Sequence, residues 1–249
     1  MSLNLDLARA FDRVAFARDC GIELDPWQAD LLLSDAKRHL LLCSRQSGKS
    51  TTTGILALHE AIYAAPALIL LVSPSQRQSA ELFRKVIEYL HALDGAPEVT
   101  LESVLRLELA NGSRIIALPG SEATTRGYSA ASMVIIDEAS RVPDALVAAI
   151  RPTLATSNGR LVALTTPAGK RGWFHEQWTR GEGWERTRIT ADDCPRISAE
   201  FLADERRELG EFMYGQEYLC EFYDAETSVF STELIERALS ADVLPLWGR

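Results

Sequence analysis

Four short runs of the chain are almost wholly apolar and are bounded by polar or turn-forming residues: 40–43, 66–72, 133–136 and 161–164. A strand buried on both faces reads this way, because neither face has a solvent side to mark. Segments of helical period lie between and around these runs. Residues 4–20 place Leu7, Phe11, Val14 and Ala15 on one side, which predicts one helix stopped at Gly21. Asp25-Pro26-Trp27-Gln28 predicts a second helix, with Asp25 as N-cap, Pro26 at the first helical position and Gln28 three residues after the cap. Helical period returns over 55–64. Ser75-Gln76-Arg77-Gln78 reads as a capping box for a helix with the inner stripe Leu82, Phe83, Val86 and Leu90.

Residues 105–109 alternate, Asn111-Gly112 turns, and 114–118 return, which predicts a β-hairpin. A further helix is expected over 143–154. Apolar strands alternating with amphipathic helices predict an α/β fold, a mostly parallel, doubly wound sheet flanked by helices. After Trp184 the texture changes to charged helical segments, 199–209 and 211–219, carrying Phe201, Phe212, Tyr214, Tyr218 and Phe222. The expected organisation is therefore a core over 1–183, a small lid subdomain over 184–223 and a tail over 224–249.

Composition narrows the classes. At 249 residues the chain is long enough for one large domain, and no apolar run approaches the roughly 20 residues of a membrane helix. The N-terminus has no basic region before an apolar core, so no export signal and no membrane partner are expected. Cys20, Cys43, Cys194 and Cys220 form no C-x-x-C pair, which fits reduced cytoplasmic thiols better than a zinc site. A net charge of −9 makes any contact with nucleic acid local and weak. Arg77, Arg84, Lys85, Lys170 and Arg171 are the basic residues considered for it, against the reading that they are a solvated face.

The chemistry centres on residues 39–51. An apolar strand runs directly into Ser47-Gly48-Lys49-Ser50-Thr51 and then into a helix, the layout of a phosphate-binding P-loop. Unpaired N–H groups at the helix start face a phosphate, Lys49 neutralises it, and the Ser50 hydroxyl holds Mg²⁺. In the pattern G-x-x-x-x-G-K-S/T the first glycine falls at position 43, which here is Cys43. A non-glycine there costs about 1–2 kcal/mol if the backbone must be left-handed, and nothing otherwise. The third apolar strand ends in Asp137-Glu138. By itself that pair opens any polar loop. Together with the P-loop it predicts Mg-ATP hydrolysis, with Asp137 holding Mg²⁺ opposite Ser50 and Glu138 orienting and deprotonating water.

Ser44-Arg45-Gln46-Ser47-Gly48-Lys49-Ser50-Thr51 resembles the deviant Walker A loop of phage terminase large subunits, the DNA-packaging motors, in which an arginine sits inside the loop and the first glycine is often absent. Further segments match that family in order. Pro26-Trp27-Gln28 resembles its adenine-recognising Q motif, and Ser73-Pro74-Ser75 with Gln78 the turn after the second core strand. Residues 118–129 resemble the segment before Walker B, and 135–139 Walker B itself. Thr165-Thr166-Pro167 is similar to the coupling motif, and Gln216-Glu217-Tyr218 to Phe222 the end of the lid.

The resemblance implies an ASCE, RecA-like P-loop ATPase that binds ATP and Mg²⁺ and powers movement of double-stranded DNA into a procapsid. It implies a homo-oligomeric ring on a portal protein, with the chain monomeric when isolated, a terminase small subunit as partner, and action in the host cytoplasm. It further implies that Arg45 contacts the terminal phosphate, that Arg126 is an arginine finger acting in a neighbouring subunit, and that Thr165 and Thr166 sense phosphate. Alternatives stay open for each: Arg126 as a loop anchor, Gln28 as a plain cap, the threonines as turn chemistry. The family's nuclease domain is not expected within these residues, so no DNA cleavage is expected of them. Rival readings are a helicase-like or defence-system translocase, and a nucleotide-gated assembly module without turnover.

Overall fold

A computed structural model of the chain describes residues 3–118, 120, 127–224, 234 and 238. Its centre is an eight-stranded sheet: β1 (Arg38–Cys43), β2 (Leu68–Val72), β3 (Val99–Glu102), β4 (Arg106–Leu109), β5 (Arg114–Leu118), β6 (Met133–Asp137), β7 (Arg160–Thr165) and β8 (Glu185–Ile189). Their order across the sheet is β3-β4-β5-β2-β6-β7-β1-β8. β4 pairs antiparallel with β3 and β5, and the remaining pairs are parallel.

Helices cover both faces. They are α1 (Leu3–Phe11), α2 (Arg13–Asp19), α3 (Pro26–Leu33), α4 (Lys49–Tyr63), α5 (Gln76–Ala92), α6 (Asp144–Ile150), α7 (Gly172–Arg180) and α8 (Ala199–Glu217). Strand residues alternate between two cores, as a doubly covered pleat requires. Leu41, Cys43, Ile69, Leu71, Ile135, Val162 and Leu164 pack with residues of α2 to α5. Leu40, Leu42, Leu70, Val134, Ile136 and Ala163 pack with Leu146, Val147, Ile150 and Phe174.

The parallel α/β architecture, the β4–β5 hairpin, the α3 capping box and Ser75 as N-cap of α5 agree with the sequence reading, although the Gln78 side chain accepts from the Ser75 hydroxyl and so does not complete a box. In α3 the Gln28 side chain accepts from the Asp25 N–H at 2.8 Å, completing the capping box. Three expectations change. The helix expected over 4–20 is two helices, because the Asp12 carboxylate accepts from the Val14 and Ala15 N–H groups and restarts the chain as α2. The helix expected over 143–154 ends as α6 at Ile150 and finishes as a 3-10 turn, Arg151–Leu154, that has Pro152 at its second position.

The third change concerns organisation. The boundary at 183/184 cuts off a core strand, since β8 pairs with β1 along its whole length, His39 to Glu185 through Cys43 to Ile189. Glu185-Arg-Thr-Arg-Ile189 exposes most of its side chains, as an edge strand does, so no apolar run marked it. The segment after β8 is different in kind. A small cluster of Ala191, Tyr214 and Tyr218, with Ile197, Leu202 and Leu219, packs α8 against the segment that follows β8. Gly210 (φ 71°) kinks α8 between the two helical segments expected at 199–209 and 211–219.

Candidate nucleotide site

Cys43 ends β1 in extended conformation, in register with Ile189 and fully buried. The turn out of the strand is made further on: Gln46 (φ 60°) and Gly48 (φ 92°) hold the left-handed positions. The missing glycine therefore costs the loop no backbone strain. Ser44 N–H donates to the Ile189 carbonyl at 2.8 Å and Arg45 N–H to the Glu217 carbonyl at 3.0 Å, which ties the loop to β8 and α8. Gly48 is needed on two counts. Its φ is left-handed, and a Cβ there would stand 2.6 Å from Gln28 Nε2 and 2.9 Å from Arg196 Nη2. The loop delivers the chain into α4 at Lys49, whose first N–H groups face outward from the C-terminal edge of the sheet.

β6 reaches the same edge, with β7 between it and β1. Asp137 pairs in register with Leu164, and Leu42 with Thr165, so the P-loop, Asp137-Glu138 and Thr165-Thr166 meet there. The Ser50 hydroxyl lies 3.4 Å from Asp137 Oδ2. Burial pushes the Asp137 carboxyl up to about 6, against the pull of Lys49. A buried acid disfavoured in its charged form, next to a hydroxyl, is a place where a bound cation is favoured. The donor set of Ser50 and Asp137 thus fits Mg²⁺.

Glu138 is left-handed (φ 51°), and its N–H donates to Asp137 Oδ1 at 2.9 Å. Its carboxylate is held from three sides. Lys49 Nζ is 2.7 Å from Oε1, Arg141 Nη1 is 2.8 Å from Oε2, and the Thr166 hydroxyl is 3.5 Å from Oε2.

These groups open onto a cavity of about 540 Å³ lined by Arg45, Gln46, Ser47, Gly48, Lys49, Ser50, Thr51, Gln78, Lys85, Glu138, Arg141, Thr166 and Arg196. Nine of the expected site residues are among them, and Asp137 joins through Ser50. Gln28, Ser44 and Thr165 are not. All three are fully buried. The Gln28 amide is consumed inside the protein: Oε1 accepts from Asp25 N–H, and Nε2 donates to Thr52 Oγ1 at 2.9 Å and to the Gly48 carbonyl at 3.3 Å. It braces the P-loop from behind and has no free edge for a base. Ser44 Oγ donates to the Arg45 carbonyl, and Thr165 Oγ1 to the Thr166 carbonyl while accepting from Ser140 N–H. Arg126 lies outside the described residues.

Arg45 lines the cavity, but its guanidinium is paired with the Glu217 carboxylate. Three cationic residues of the site carry no sequence signal for it. Arg141 follows Asp137-Glu138 by one short turn. Arg196 bridges Asp25 Oδ2 (2.7 Å) and the Ser47 carbonyl (3.0 Å). Lys85, considered for DNA, instead reaches from α5 to Thr51 Oγ1 on α4 at 3.5 Å. Charge at helical spacing carries no sign of which cavity a side chain enters, so sequence alone does not separate it from Arg84. Arg84 is paired with Glu81 and Glu88, and Lys170 with Asp224, so the basic residues considered for nucleic acid do not form a free stripe.

Comparison with known proteins agrees with this fold. The family model "Terminase large subunit, T4likevirus-type, N-terminal" matches residues 40–237. The terminase large subunits of Thermus virus P23-45 and Thermus phage G20c are each 29% identical, over 80% of this chain and 48% of theirs. The chain thus spans about half the length of these relatives. Among solved structures, the Thermus phage P74-26 large terminase ATPase domain superposes with a TM-score of 0.72 at 25% identity, over 82% of this chain and 96% of that one. The HK97 bacteriophage large terminase shares the fold, with a TM-score of 0.72 at 18% identity over 86% of this chain and 55% of that one. The matched family model spans the P-loop, the Asp137-Glu138 strand and α8, and the chain accordingly belongs to the family of T4-like-virus-type terminase large subunits, within their N-terminal ATPase region.

Proposed function

We propose that this chain hydrolyses Mg-ATP and is the motor domain that drives double-stranded DNA into a procapsid. The observation that carries the reading is the pairing of P-loop and acidic strand: Ser50 with Asp137, and Lys49 with Glu138. A large terminase from bacteriophage D6E, similar in fold, has been solved with ADP and with ATP-γ-S, which supports nucleotide as the ligand of this cavity.

In this mechanism the N–H groups at the start of α4 and Lys49 Nζ hold the β- and γ-phosphates. Ser50, with Asp137 behind it, would hold Mg²⁺, which neutralises phosphate charge when bound. Glu138 orients a water against the γ-phosphorus and takes its proton. The new O–P bond forms as the bond to the β-phosphate oxygen breaks, and ADP leaves with that electron pair. Arg45 is placed to reach the terminal phosphate if it leaves Glu217, and Thr166, on Glu138, reports on the phosphate. We assign residues 190–223 to the lid. Arg126 is the candidate finger for a neighbouring subunit in a ring on the portal, with the terminase small subunit and DNA as further partners in the host cytoplasm.

Steady-state ATP hydrolysis by the purified chain tests the reading. Wild type is expected to exceed Glu138→Ala by about 10²-fold or more. Equal rates at high chain concentration defeat it. Arg126→Ala doped into wild type is expected to lower turnover of the mixture, and Arg126→Ala chains that behave like wild type in every mixture remove the finger role.

A further inference from the structure

Glu217, on the last turn of α8, is 6% exposed at its side chain, and a carboxylate so buried requires cationic partners. It has two. The Arg45 guanidinium pairs with Oε2, and Arg141 Nη2 stands 3.9 Å from Oε1. Arg141 also holds Glu138 at 2.8 Å and pairs with no other carboxylate among the described residues. One guanidinium therefore faces two carboxylates, one on the acidic strand and one on α8. The chain of charges runs Arg45–Glu217–Arg141–Glu138–Lys49 and closes on the P-loop at both ends.

Arg141 is fixed to this position by local structure. Glu138 is the left-handed residue that opens the 3-10 turn Ala139–Arg141, and the Arg141 N–H donates back to the Glu138 carbonyl at 2.8 Å. Its Nη1 lies within 3.4 Å of Thr166 Oγ1, the third contact of the Glu138 carboxylate. A terminal phosphate competes with Glu138 for Lys49, and what then orients the carboxylate is Arg141 and Thr166. The short 2.8 Å contact and the long 3.9 Å contact differ by little more than 1 Å, so a small movement of α8 shifts the guanidinium between its two carboxylates. Carboxylate placement at this scale governs proton transfer, where a displacement of about 1 Å costs as much as 10²-fold.

We propose that Arg141 is a positioning residue for Glu138, and that through Glu217 it makes the aim of that carboxylate depend on where α8 sits. The inference rests on the ATPase reading above.

Arg141→Met, Arg141→Lys, Glu217→Gln and the double variant Arg141→Met/Glu217→Gln are compared with wild type in steady-state hydrolysis. Arg141→Met is expected to lose about 10- to 100-fold in kcat with KM within about threefold, and Arg141→Lys to recover part of kcat. Glu217→Gln is expected to lower kcat severalfold in wild type and at least about threefold less in the Arg141→Met background, the remainder being the lost Arg45 pair. An unchanged kcat in Arg141→Met, a loss carried by KM, or an equal Glu217→Gln effect in both backgrounds overturns the inference. If wild type turns over no faster than Glu138→Ala, the ATPase reading fails, and thermal unfolding decides the linkage instead. Glu138→Gln and Glu217→Gln are then expected to be non-additive in Tm by about 2 °C with Arg141 present and additive without it. Additivity in both backgrounds overturns the linkage.

Discussion

Lys49 Nζ and Glu138 Oε1 stand 2.7 Å apart, so the lysine proposed to bind phosphate and the carboxylate proposed to activate water hold each other in this structure. Both side chains are largely buried, at 13% and 18% exposure, and the contact is a charge-assisted hydrogen bond. Phosphate binding must break it. Glu138→Gln removes the competing charge from Lys49 and the base together. ATP affinity is expected to hold or tighten while turnover falls by about 10²–10⁴-fold. Lys49→Ala removes the phosphate contact itself, and affinity is expected to weaken about 10- to 100-fold. Titration with ATP-γ-S beside steady-state assays separates the two effects, and equal losses of affinity in both variants would contradict the exchange.

Gln28, expected at the base of the nucleotide, stands behind the P-loop with both ends of its amide bonded inside the protein. Gln28→Ala leaves the Asp25 N–H without its partner and opens a hole against Thr52. A cost of about 1–3 kcal/mol is expected, a drop of roughly 2–10 °C in Tm for a domain of this size. The preference for ATP over GTP is expected to be unchanged beyond any common loss of affinity. A selective loss of ATP binding, with Tm intact, would return Gln28 to the base.

His59 joins the P-loop helix to the N-terminal helices. Its Nε2 is 3.1 Å from the Arg9 carbonyl, and its ring meets the Phe16 ring edge-on at 5.2 Å. Burial lowers its pKa to about 4, with Arg13 and Arg160 adding to the effect and the Arg9 and Ala10 backbone opposing it. The ordinary value in an unfolded chain is about 6.5. The unfolded state therefore takes up the proton first, and the stability gained from a neutral His59 is full above about pH 6.5 and is lost as pH falls towards 4. His59→Gln keeps a donor but does not titrate. Between pH 7 and 4.5 wild type is expected to lose about 2–3 kcal/mol more than the variant. Denaturant unfolding at the two pH values measures this, and parallel losses would count against a neutral buried ring.

Legibility followed the kind of interaction. The strands buried on both faces announced themselves, as did caps made by neighbours in sequence such as Asp25 with Gln28 and Ser75 with Gln78. β8 escaped because only Ile189 of its residues is buried and its role is set by the His39–Cys43 edge it covers. The site divided in the same way. The P-loop and Asp137-Glu138 are contiguous motifs. Arg141, Arg196 and Glu217 enter through contacts 3.9 Å or shorter between residues tens of positions apart, as in Glu217 with Arg141 and Arg196 with Ser47. Gln28 is legible as a cap, while its bond to Thr52 is not, since a side chain's local partner is written nearby and its distant one is not.

Cys43 carries the sharpest test of how the loop is built. A glycine at this position would restore the motif on paper. In the structure the residue is extended, fully buried and packed in the core beside Leu41 and Ile189, with the left-handed turns assigned to Gln46 and Gly48. Burial also pushes its thiol far above the ordinary range, so it stays protonated and acts as a small apolar side chain. Cys43→Gly deletes that packing and loosens the end of β1, a combined cost of about 1–3 kcal/mol. No gain in ATP affinity is expected, because no phosphate-facing group changes. Gly48→Ala is the opposite case, with the left-handed penalty and a clash against Gln28 and Arg196 falling on the phosphate-binding turn itself, so affinity is expected to fall about 10-fold or more. Measured side by side, Cys43→Gly should lower Tm at constant affinity, and Gly48→Ala should lower affinity. A tighter-binding Cys43→Gly would mean that the turn begins at residue 43 after all.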